Sequence, residues 1–118
     1  MRLVLVALVT ALIAGPAMAS EFERVKERDS FVSLIKDRDL TRLGIRVKVT
    51  RDGQIVGRAF GWRITGDWTW NGGYFCRDLY YNNKELDLDN CQLVQVSGNT
   101  LRFTSDKGQG DYADLRLK

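Results

Sequence analysis

From Leu40 onward the chain alternates apolar and polar residues in short runs punctuated by turn formers. Ile45, Val47 and Val49 interleave with Arg46, Lys48 and Thr50, the period-two signature of a strand with one wet face. Arg51-Asp52-Gly53 reads as the turn that follows, Asp-Gly supplying positive φ. A second strand is expected from Gln54 to about Ile64, with Val56, Phe60, Trp62 and Ile64 on one side. Its other side carries Gly57, Ala59 and Gly61, small residues that suggest close packing or a sharp bend. Trp68 and Trp70 share a face of the next strand, and Asn71-Gly72-Gly73 predicts a hairpin into a strand from Tyr74 to Tyr81. Asn82 to Asn90 reads as a polar loop. Cys91 to Val96, Leu101 to Ser105 and Tyr112 to Leu117 complete the set, joined by turns at Ser97-Gly98-Asn99 and Asp106 to Gly110. Helix signal is confined to Ser20–Lys36, where Asp29 could cap a short helix starting at Ser30. The expected fold is mainly β: an antiparallel meander of about seven strands, curled into a small barrel or half-barrel with a short N-terminal helix.

The first residues follow a different rule. Arg2 precedes an apolar stretch from Leu3 to Ile13, Gly15-Pro16 breaks it, and Ala17-Met18-Ala19 places small residues at a cleavage site. That is the layout of a secretory signal peptide over residues 1–19, leaving a single domain over 20–118. The apolar run is too short to span a bilayer as a stable anchor, and no later stretch approaches the ~20 apolar residues required. A soluble protein of the bacterial periplasm or exterior is expected, with no transmembrane segment.

Export changes the reading of the cysteines. Cys76 and Cys91 are expected to form a disulfide, closing a loop worth on the order of 3 kcal/mol in the chain-entropy model. A redox pair is disfavoured, since no Cys-x-x-Cys is present. The 118 residues carry a net charge of +3 and no histidine, which removes imidazole catalysis and histidine metal sites. Cleavage after Ala19 would remove Arg2 and bring the charge to +2, so nucleic acid is not an expected partner.

Five groups of residues carry candidate chemistry. Trp68, Trp70, Tyr74, Phe75, Tyr80 and Tyr81 crowd around one hairpin and could line a pocket or form the core beside the disulfide. Arg77, next to Cys76, could clamp a carboxylate or phosphate, or pair with an acid such as Asp87 or Asp89. Asp87-Leu88-Asp89-Asn90 and Asp106 to Asp111 offer oxygen ligands on turns but lack EF-hand spacing, and Lys107 opposes a cation there. Gly108 to Ala113 spells G-x-G-x-x-A, yet only five residues follow, so a hairpin loop accounts for it better than a nucleotide-binding turn. Arg42, Arg46, Lys48, Arg51 and Arg58 form a basic stripe, either a solvated face or a surface for lipid phosphates or peptidoglycan acids.

The segments Gly66-Asp67-Trp68-Thr69-Trp70, Gly73-Tyr74-Phe75-Cys76-Arg77, Asn90-Cys91-Gln92 and Leu101 to Gly108 together resemble a family of small exported bacterial proteins of unknown function. Sequences of this kind are sometimes labelled dihydrodipicolinate reductase, which implies an NAD(P)H-dependent enzyme. Such an enzyme resembles a cytoplasmic two-domain protein with a glycine-rich turn at its N-terminus, where this chain has an export signal. The reading favoured here is a monomeric, non-enzymatic binding domain without cofactor, metal or catalytic residue. Trp68, Trp70, Tyr74 and Arg77 would bind a small ligand or an envelope protein; inhibition of an envelope enzyme is the further alternative.

Overall fold

A computed structural model describes residues 21–118. The signal peptide expected over residues 1–19 lies outside them. Eleven elements follow in order: β1 (Glu23–Arg24), α1 (Arg28–Ile35), β2 (Leu40–Arg42), β3 (Ile45–Val49), β4 (Gln54–Ala59), β5 (Trp62–Asn71), β6 (Tyr74–Tyr81), β7 (Lys84–Ser97), β8 (Thr100–Thr104), α2 (Ser105–Gly108) and β9 (Tyr112–Leu117).

Strands β2 to β9 pair antiparallel in sequence order, and β2 returns to β9 with Leu40 opposite Leu117, closing an eight-stranded barrel. Strand β1 is extra, adding Glu23 and Arg24 to the edge of β7 beyond the end of β6. Closure removes the open edges at which a small sheet would otherwise aggregate. The long β7 makes closure possible, because its first part pairs with β6 and its second, from Leu93 to Ser97, with β8.

The pleat sends alternate residues inward. Ile45, Val47 and Val49 face the interior, opposite Ala59, Gly57 and Ile55 of β4. At Gly57 a side chain would collide with the Arg46 carbonyl and the Val47 Cα, so glycine lets β4 approach β3 closely and curve. Helix α1 seals one end, with Phe31 and Ile35 wholly buried. The Phe31 ring stacks on Trp70 at 5.0 Å, lies 5.0 Å from Phe75 and meets Trp68 edge-on at 5.4 Å. Arg28 ties the helix to the β3–β4 turn through the Arg51 carbonyl at 2.7 Å.

The mainly β antiparallel barrel stands, and it is closed rather than half-open. Among the described residues its strand count is nine, not seven, because two-residue β1 and three-residue β2 are both too short to show alternation. Two strand boundaries also differ. The expected strand from Gln54 to Ile64 is two strands, reversed at Phe60-Gly61, where both residues have positive φ. Val56 consequently faces outward, while Gly57 and Ala59 face in. Finally, the expected loop from Asn82 to Asn90 is a two-residue turn, Asn82-Asn83, followed by β7; both asparagines tolerate the left-handed conformation. Two short helices are present where one was expected. Helix α1 begins at Arg28 rather than Ser30, with Glu27 at the cap position and Asp29 inside the first turn. Helix α2 is a single tight turn in which Asp106 and Lys107 take left-handed backbone angles, so the turn expected from Asp106 to Gly110 is present.

Candidate functional site

Away from α1, the inward side chains of the barrel leave a chamber of about 240 Å³. Its walls are aliphatic and small: Ile45, Val47 and Ala59 on one side, Leu79, Ala113 and Leu115 on the other, with Phe75 and Phe103 toward the plug. Exposed Arg42 and Leu86 also line it, which places them at the mouth. Among so much apolar wall, three polar side chains stand out: Arg42, Arg77 and Gln92.

Arg77 follows from the register of β6. Phe75, Arg77 and Leu79 share the inward face opposite Trp70, Trp68 and Gly66 of β5, so the pleat carries a guanidinium into the barrel. Its side chain is 14% exposed, and its Nη1 donates to Asp87 Oδ2 at 3.1 Å. Of the two acids open to it, Asp87 is the one it meets. Burial lowers the basicity of Arg77, opposed by the charge of Asp87 and the hydrogen bond to it. Asp87 also accepts from Asn90 Nδ2 at 2.8 Å, and Asn90 donates in turn to Ser105 Oγ at 3.0 Å. The buried Gln92 reaches the same Ser105 hydroxyl at 3.4 Å. A chain of polar groups thereby joins β6, β7 and the start of α2 on one wall. Among the described residues, the Nε and Nη2 of Arg77 make no further hydrogen bond to protein, leaving donors for an occupant.

The four binding residues expected from sequence separate into three settings. Trp68 is 4% exposed, and its indole N–H donates to the Thr50 carbonyl at 2.8 Å. Trp70 packs against Phe31 and donates to the Lys26 carbonyl at 2.9 Å. Both therefore hold α1 in place. Tyr74 lies under two cations, Arg24 at 4.8 Å and Lys107 at 5.5 Å. Arg77 alone of the four lines the chamber.

The disulfide joins Cys76 to Cys91, residues directly opposite in the β6–β7 ladder. Their neighbours Phe75, Arg77, Asn90 and Gln92 point inward, so by alternation the sulfurs lie on the outer face. They pin the strand pair that carries Arg77 and its partners. Sequence reasoning placed Arg42 in a basic stripe and Asn90 in an acidic turn, and gave Gln92 no role, so none of the three was read as facing the barrel interior. The one available signal was the period-two relation of Asn90, Gln92 and Val94, hidden because two of the three are polar.

The remaining candidates are placed as follows. Asp87, Asp89, Asp106 and Asp111 border one surface recess, but among the described residues no three His, Cys, Asp or Glu side chains converge as metal ligands. The G-x-G-x-x-A segment ends α2 and runs into β9, so a strand follows its glycines rather than a helix. Among the described residues no helix is long and apolar enough to cross a membrane. Comparison of the chain with protein-family models, curated proteins and solved structures gave no match.

Proposed function

We propose that this chain is an exported binding domain whose barrel holds a small, mostly apolar molecule bearing an acidic group, with that group directed to Arg77. The supporting observation is the chamber itself: apolar walls around one buried, incompletely bonded guanidinium. Ligand sites combine largely apolar surface with a few placed polar groups, and this arrangement fits that description. An apolar cavity of ~150 Å³ admits benzene, so a chamber of about 240 Å³ suits roughly ten non-hydrogen atoms, an eight-carbon acid for example. The Cys76–Cys91 bond agrees with folding in an oxidising compartment.

Calorimetric titration with octanoate and with octanol tests the reading. Sub-millimolar binding of octanoate, weaker binding of octanol, and at least a tenfold loss for octanoate in Arg77→Met are expected, a buried charge-assisted bond contributing ~1.5–3 kcal/mol. Equal binding of the two ligands, or no effect of Arg77→Met, would remove the acid-binding role. Failure of both ligands to bind would remove the chamber as a site for this class.

A further inference from the structure

Three hairpin tips meet at one end of the barrel and present apolar side chains to solvent. Leu43, in the β2–β3 turn, is 92% exposed; Phe60, in the β4–β5 turn, is 71% exposed; Trp62, just after it, is 51% exposed. These tips form one continuous surface. The Phe60 N–H donates to the Gly44 carbonyl at 2.7 Å and its ring lies over Gly44. Trp62 meets Tyr81 of the β6–β7 hairpin edge-on at 5.7 Å, and Asn82 bonds the Arg63 backbone on both sides. Phe60 has φ of 51° as the first residue of a two-residue turn, a position that favours Asn, Asp or Gly. A bulky aromatic there gives up local conformational preference and still leaves most of its ring in water.

Behind the tips lies a row of like charge. Arg46, Arg58 and Arg63 are directly opposite one another on β3, β4 and β5, and Thr41 links Arg46 to Arg116 of β9 in the same row. All four arginines are exposed. Like charges facing each other across strands repel. Asp39 pairs with Arg46, but Arg58 spends a donor on the Gly61 carbonyl at 3.1 Å rather than on an acid. This alignment disfavours the isolated fold and favours an anionic surface brought against it.

We infer that the hairpin tips form a docking surface for an anionic lipid bilayer, with Leu43, Phe60 and Trp62 entering the interface and the Arg46–Arg58–Arg63 row meeting lipid phosphates. Charge complementarity selects the occupant: protruding apolar tips suit a deformable apolar layer, and the arginine row behind them suits headgroups. The inference goes beyond chamber binding and does not require it, although Arg42 and Leu86 place the chamber mouth where a docked barrel could receive a lipid-derived acid.

The test is co-flotation of the purified protein, expressed from the full chain, with vesicles of phosphatidylcholine alone or mixed with phosphatidylglycerol. Binding to the anionic vesicles alone, weakening with salt, is expected. Arg58→Gln with Arg63→Gln should lower partitioning about 25-fold, on the order of fivefold for each arginine. Phe60→Asn suits the turn better and so should fold, yet it should lose about tenfold in binding. Brominated lipid should quench the protein's fluorescence, and Trp62→Phe should abolish that quenching because Trp68 and Trp70 lie under α1. Failure to float with anionic vesicles, equal flotation with neutral ones, or unchanged binding in Phe60→Asn would overturn docking. So would self-association in solution that Phe60→Asn abolishes, since the tips would then be an interface between copies. Octanoate titration remains a separate measurement, so failure of one reading leaves the other standing.

Discussion

Arg77 and Asp39 show two different fates of charge in this barrel. Arg77 was legible as a candidate because it follows Cys76, and pairing with Asp87 or Asp89 was foreseeable from charge alone. Its inward direction was not, because that depends on the β5–β6 register. Asp39 lies just before β2, where it accepts from Lys48 at 2.8 Å and pairs with Arg46. The hydrogen bonds from Lys48 and then Arg46 hold its carboxyl below the ordinary value of 3.8. On the neighbouring strand β9, the hydrogen bond from Arg102 holds Asp114 below the same value, with nitrogen–oxygen distances of 2.8 and 3.1 Å. A carboxyl with a lower pKa folded than unfolded gives stability that is complete above the unfolded value. That stability is lost as pH falls through the folded one. Both pairs are exposed to solvent, so each should contribute only weakly. Asp39→Asn with Asp114→Asn should therefore melt below the parent at pH 7, and the gap should narrow steadily below pH 3.8. Thermal unfolding at both pH values checks this; a constant gap would assign the loss to packing.

Strands marked by clean apolar alternation or by a strong turn signal at their start were the legible ones. Ile45, Val47 and Val49 announce β3, and Tyr74 to Tyr81 is the extent of β6 read from the pattern and found. Strand β7 was half hidden because its early residues are Glu85, Asp87, Asp89 and Asn90, and because the register slips on either side of Leu79. Alternation cannot show a strand whose inward positions carry a polar chain built on Asp87 and Asn90. The break at Phe60 was invisible for the opposite reason, an aromatic occupying a turn position. Helix α1 spans eight residues, too short to be stable in isolation, so tertiary contacts must hold it. Phe31 supplies most of them, touching Trp68, Trp70, Phe75 and Phe103 with no exposed surface. Phe31→Ala should lower unfolding free energy by about 3–5 kcal/mol, a large share of the ~5–15 kcal/mol typical of a domain. Urea titration followed by tryptophan emission would show both the lower midpoint and a red shift from loosened packing over Trp68 and Trp70. An unchanged midpoint would mean that α1 does not seal the barrel.

For the molecule as a whole, closure depends on contacts that no local pattern encodes: Leu40 with Leu117, and Leu93 to Ser97 with β8. The number of strands and the length of β7 set the barrel's girth, while inward side chains decide how much of it is filled. Bulk at Phe31, Trp68 and Phe75 packs the α1 end solid; small Ala59 and Ala113 leave room in the chamber beyond it. An unfilled apolar space is unfavourable to the fold, by ~24 cal/mol for each Å³ in core truncations. Filling it should therefore stabilise the empty protein and compete with any occupant, the usual opposition between stability and a binding site. Ala113 faces the chamber opposite Phe103, so Ala113→Leu adds aliphatic bulk where there is room. Stability should rise by about 1 kcal/mol in urea titration, after allowance for imperfect fit. In the same variant, octanoate binding should fall at least tenfold although Arg77 is untouched, separating loss of space from loss of charge. If Ala113→Leu instead destabilised the barrel and left octanoate binding intact, the chamber would be closed in solution and the acid would bind elsewhere.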